Sequence, residues 1–64
     1  MKLRFKEGQK VLIRWNPGIF REGTVNKYIE KVNIYETYDV TYKNEDGKEY
    51  IGQFYDVDMV PISL

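Results

Sequence analysis

Polar and apolar residues alternate along most of this chain, and glycine, proline or asparagine breaks the alternation at short intervals. Residues 2–5 alternate and lead through Lys6-Glu7-Gly8 into Val11-Leu12-Ile13-Arg14-Trp15. A period of two puts every second side chain on one strand face, so a first strand with Val11, Ile13 and Trp15 on one side is expected. Asn16-Pro17-Gly18 predicts a turn, because proline presets φ and glycine accepts positive φ. A second strand is expected from Ile19 to about Ile29, with Gly23 and Val25 sharing a face. The bare Gly23 lets another strand or a large ring come close. Residues 31–33 read as a connection. In residues 35–42, Tyr38, Val40 and Tyr42 alternate with Thr37, Asp39 and Thr41, the pattern of a half-buried third strand. Asn44-Glu45-Asp46-Gly47 predicts a hairpin turn. Residues 48–54 return as a fourth strand, with Tyr50 and Ile51 on opposite faces. Residues 55–58 suit a single 3-10 turn. Residues 59–62 close the chain as a short strand in which Pro61 fits an edge.

No stretch of ten residues carries a helical period. Five short strands in 64 residues are too few for a sandwich, so the fold class expected is all-β: one small five-stranded antiparallel barrel over residues 1–64, with one 3-10 turn before the last strand. A chain this short buries only about 60% of its unfolded surface, so stability is marginal. With no cysteine there is no disulfide or thiolate metal site, and with no histidine the commonest metal ligand and general base are missing. The ten rings (one Trp, six Tyr, three Phe) are then the expected glue.

Charge adds a second pattern. The ten basic and ten acidic residues cancel, whereas a dedicated nucleic-acid binder carries a basic excess. Locally the balance is uneven. Residues 1–31 hold eight basic against three acidic residues, and residues 32–64 hold two against seven. Lys2, Arg4, Lys6, Lys10 and Arg14 read either as a solvated face or as a phosphate-binding stripe, with Arg4, Lys10 and Arg14 as the contacts. The carboxylates of residues 45–58 lack both calcium-loop spacing and a convergent acid–base pair; Asp58 reads as a turn cap, and no metal or cofactor is expected. No apolar run reaches membrane-spanning length and no secretory leader is visible, so a soluble cytoplasmic protein is expected.

Four blocks give the chain a resemblance to a Tudor domain, a branch of the SH3-like barrels: Gly8-x-x-Val11-x-x-x-Trp15, Phe20-Arg21-x-Gly23-x-Val25, Tyr38-x-Val40-x-Tyr42 with Asp46-Gly47, and Asp58-Met59-Val60-Pro61. They span residues 8–61. The resemblance implies an aromatic cage for a methylated cation at one end of the barrel. Trp15 and Tyr42 fall on two cage positions. Arg21 takes the place of a third aromatic, with Phe20 one residue off and so on the other face. Asp46 takes the fourth place. An arginine there repels a cationic ligand, and Asp46 offers such a ligand a partner. Gln53-Phe54-Tyr55 is also similar to the pore segment of type II dihydrofolate reductases, tetrameric enzymes with an SH3-like barrel.

The expectation is therefore a binding module rather than an enzyme. A protein or peptide partner would meet Trp15, Phe20, Arg21, Tyr42, Asp46 and Tyr55, as in a small adaptor or regulator of bacterial, plasmid or phage type. Nucleic-acid binding through the basic half is the alternative, and a reductase-like tetramer a remote one. Phe54-Tyr55 reads either as a recognition pair or as one core ring and one ring covering the barrel end.

Overall fold

The computed structural model describes residues 3–62. Five strands form one antiparallel sheet: β1 (Lys10–Asn16), β2 (Ile19–Val32), β3 (Tyr35–Lys43), β4 (Glu49–Tyr55) and β5 (Met59–Pro61). A 3-10 turn at Asp56–Asp58 links β4 to β5. The sheet order is β4-β3-β2-β1-β5, so the chain meanders through four strands and then returns β5 to the far side of β1. Among the described residues β4 does not pair with β5. The sheet therefore curls round the core and stays open along β4. No helix among the described residues is long and apolar enough to cross a membrane.

Turn chemistry sets the strand ends. Gly18 and Gly47 adopt φ of 82° and 80° in the first and third hairpins. In the third hairpin the Gly47 N–H donates to the Asn44 carbonyl at 3.0 Å and the Lys48 N–H donates to Asp46 Oδ1 at 2.9 Å. Lys48 thus belongs to the turn, and β4 starts one residue later than the pattern predicts. The connection expected at residues 31–33 is shorter. Lys31 and Val32 stay in β2, paired with Glu36 and Tyr35, and the reversal is made at Asn33-Ile34 with Asn33 left-handed at φ 57°. Register shifts at Asn26 and Ile29 mark two bulges that bend this long β2–β3 ribbon.

The closed core is Phe5, Val11, Ile13, Val25, Tyr38, Val40 and Met59, with Tyr28, Tyr42 and Phe54 packed against it. Only two of the ten rings are fully inside, so valine, isoleucine and methionine fill most of the space expected for aromatics. Tyr38 sits at the centre, edge-on to Phe5 at 5.4 Å and to Tyr28 at 5.5 Å. Its hydroxyl accepts the Phe5 N–H at 3.4 Å, which ties the segment before β1 onto the core. The Gly8 N–H, donating to the Val25 carbonyl at 2.7 Å, clamps the same segment. Partial burial, then the carboxylate of Glu36, Tyr38 and the carboxylate of Glu30, pushes the Tyr28 phenol above its ordinary 10.0. Folding thus favours the neutral phenol, and this contribution to stability is lost as pH rises above the unfolded value.

Gly23 meets the close approach expected of it. A Cβ there would lie 2.7 Å from Val40 Cγ1, 3.0 Å from Ile13 Cδ1 and 3.1 Å from the Thr41 carbonyl oxygen. Gly23→Ala is expected to cost about 1–3 kcal/mol through overpacking. A urea midpoint equal to wild type would show that the strands are not closed this tightly.

Candidate binding site

One end of the sheet gathers rings from three strands. β1 supplies Trp15 through a bulge: Arg14 pairs with Phe20 and Asn16 with Ile19, leaving Trp15 as the extra residue. Trp15, expected on the inner face with Val11 and Ile13, meets inner-face residues at the open end of the sheet and is 37% exposed. β3 supplies Tyr42, whose ring centroid is 5.0 Å from Trp15. β4 supplies Tyr50 and Phe54. Tyr50 stacks on Tyr42 at 5.9 Å, and Phe54 stands edge-on to Tyr42 at 5.5 Å and 5.9 Å from Trp15. Gly52 lies between them; a Cβ there would come within 3.2 Å of the Phe54 ring and 3.4 Å of the Tyr42 ring. The missing side chain lets the rings converge.

Arg21 lies in the same end. It pairs with the buried Ile13, so it sits on the inner face of β2. Its guanidinium carbon is 4.9 Å from the Trp15 ring centroid, and one of its terminal nitrogens donates to Glu45 at 3.2 Å. The Arg21 side chain is 13% exposed while Glu45 stands 86% exposed over it, and Arg21 Nε has no hydrogen-bond partner among the described residues. The face of Trp15 where the resemblance puts a methylated cation thus already holds a cation of the chain itself. Asp46 is also occupied: Oδ1 accepts the Lys48 N–H and Oδ2 accepts the Tyr50 hydroxyl at 3.0 Å. Wild type is expected to show no Trp15 fluorescence response to millimolar tetramethylammonium, and Arg21→Ala a saturable one. A response in wild type would mean that Arg21 yields the ring to other cations.

An open cleft of about 360 Å³ flanks Trp15, lined also by Arg14, Asn16, Pro17 and Asp58. Arg14 donates to Asp58 Oδ1 at 3.0 Å and so lines the cleft as an ion pair. Among the described residues no side chain caps the 3-10 turn; Asp58, read as a cap in sequence, is Arg14's partner. On the other side a groove of about 390 Å³ reaches Tyr42 between Lys10, Thr24 and Lys43.

The other sequence candidates scatter. Phe20 pairs with Arg14 on the outer face, 49% exposed, and joins none of the ring pairs among the described residues. Tyr55 lies against Tyr35 at 5.6 Å, apart from the Trp15 cluster. Of the phosphate candidates, Arg4 donates to the Asp56 carbonyl at 3.1 Å, Lys10 to Thr24 Oγ1 at 2.8 Å, and Arg14 is bound to Asp58. Lys2 lies outside the described residues. Among the described residues no three carboxylates converge as a metal site. Gln53 faces outward on β4 while Phe54 enters the ring cluster, so the two alternatives for Phe54 resolve to partial burial among rings. Sequence reading missed Tyr50, Phe54 and Glu45 as parts of this end. The signal was present for the rings: Tyr50, Gly52 and Phe54 alternate on one face of a strand that returns alongside Tyr42.

No family model, curated protein or solved structure matches this chain.

Proposed function

We propose that this chain is a non-catalytic binding module that docks a protein or peptide on its Trp15 end. One observation carries the reading: Trp15, Tyr42, Tyr50 and Phe54 form a continuous cluster, with Trp15 and Tyr50 more than one third exposed beside an open cleft. Flat rings held by one another lose little entropy on contact and offer large areas, which is why they concentrate binding energy. An apolar side chain of the partner enters the cleft beside Trp15. The Arg14–Asp58 and Arg21–Glu45 pairs orient it from either side.

Phosphate binding through the basic half has less support. Arg14 is neutralised by Asp58, Arg4 and Lys10 are engaged within the chain, and the net charge is zero. The test is capture from host lysate with wild type beside Trp15→Ala. A protein band held by wild type and lost by the variant is expected. Retention of nucleic acid alone, released by salt with a steep log–log slope, would reverse the assignment.

A further inference from the structure

The two edges of the sheet are not alike. β5 is three residues long and ends in Pro61, which has no N–H to offer an incoming strand. β4 is seven residues long, contains no proline, and carries a single charge, Glu49. Ile51 on it is 68% exposed. Its hydrogen-bonding phase follows from the hairpin. The Asn44 N–H donates to the Lys48 carbonyl at 3.0 Å, which makes residues 44 and 48 a bonded pair. In an antiparallel ladder bonded and non-bonded pairs alternate. Tyr50, Gly52 and Phe54 therefore bond to β3, in register with Tyr42, Val40 and Tyr38. Glu49, Ile51 and Gln53 direct their N–H and C=O groups to the open edge, and Tyr55 its N–H, its C=O being the N-cap carbonyl of the 3-10 turn.

We infer that this edge pairs with the β4 edge of a second copy of the chain, antiparallel about a two-fold axis at Gly52. In that register Ile51 faces Gln53 of the second copy and Glu49 faces its Tyr55. Ile51 and Gln53 use both main-chain groups, Glu49 its C=O and Tyr55 its N–H, so roughly six hydrogen bonds form across the seam. Tyr50 faces Phe54 of the second copy, an aromatic cross-strand pair made twice. The two side-chain-free Gly52 positions meet at the axis. The charges at the strand ends select a second copy as the occupant: the register brings Lys48, in the turn before β4, towards Asp56, which opens the 3-10 turn after it and whose Oδ1 also accepts the Glu36 N–H at 3.4 Å, again twice. Parallel in-register pairing would instead set Lys48 against Lys48 and Asp56 against Asp56. The dimer goes beyond the binding reading and does not depend on it; the bivalency that follows from it rests on that reading. Because Tyr50 and Phe54 belong to the ring cluster, the dimer holds two clusters on either side of one seam and engages a repeated partner bivalently.

Sedimentation equilibrium from about 10 μM to about 1 mM tests it. The mass is expected to rise from 7.7 kDa towards twice that value. Gln53→Pro removes an outward N–H without touching a bond to β3 and is expected to raise the dimer dissociation constant about tenfold or more. Ile51→Lys charges the edge and acts in the same direction, deciding the matter if the proline variant loses its far-UV dichroism. Lys48→Glu weakens the dimer, and Lys48→Glu with Asp56→Lys restores it. A monomer at every concentration, its edge left to a strand of some other protein, overturns the inference. So does association that the folded Ile51→Lys variant leaves unchanged.

Discussion

Tyr38→Ala is expected to leave this domain unfolded in water at 25 °C. Tyr38 is the largest fully buried side chain, and the sheet closes around it: β2 contributes Tyr28, β3 carries it, and Phe5 covers it from the segment before β1. Truncating a buried ring costs about 3–5 kcal/mol. A domain this small, without disulfides or metal, rarely holds more than about 3–5 kcal/mol in total. The loss matches the whole stability, and the anchor of Phe5 goes with the ring. Tyr38→Phe keeps the ring and gives up the 3.4 Å bond from the Phe5 N–H, a cost of about 1–3 kcal/mol because that N–H is left buried without a partner. Far-UV dichroism with thermal melting distinguishes the two. A cooperative melt of Tyr38→Ala near that of wild type would show that the core does not depend on this ring.

Trp15→Ala is expected to do the reverse, keeping the fold and losing the partner. Trp15 lies outside the closed core, on a bulge, with its ring held by Tyr42, Phe54 and Arg21. Removing it frees the Arg21 guanidinium to move towards Glu45 and solvent, so the stability cost stays near 1–2 kcal/mol. Removing a central aromatic anchor from an interface costs about 2 kcal/mol or more, roughly thirtyfold in affinity. Titration calorimetry with the captured partner, set beside the urea midpoint of the same variant, separates the two effects. Equal affinity in a folded variant would remove the ring cluster from the account.

The elements of this fold were legible because its turns are written in residues with only one use. Asn16-Pro17-Gly18 and Asp46-Gly47 stop the strands where positive φ is needed, and the alternation through Tyr38, Val40 and Tyr42 assigns an inner face that burial follows. Gly23 announced a close approach and has one. What sequence hid was geometry that leaves the pattern of residue types intact. A bulge adds a residue without a signal, so nothing in Arg14-Trp15-Asn16 told that Trp15 is the unpaired residue between Arg14 and Asn16. The bulges at Asn26 and Ile29 likewise let β2 run on to Val32, where Lys31 and Val32 find partners across the ribbon instead of making a loop. Phe5 enters the core from the segment before β1, and Met59 from a three-residue strand too short for alternation to assign its face. Arg21 lies beside Trp15, and the carboxylate that holds it, Glu45, is 24 residues away and reaches it only through the fold.

The central claim is that the Trp15 end is where a partner docks. Amide and indole spectra of the 15N-labelled protein, recorded while the captured partner is added, test it most directly. The account predicts saturable shifts at the Trp15 indole N–H and at the amides of Tyr42, Tyr50 and Asn16, with Ile34 at the far hairpin unmoved. Shifts confined to Arg4, Lys10 and their neighbours, with the Trp15 indole signal stationary at saturation, would contradict it.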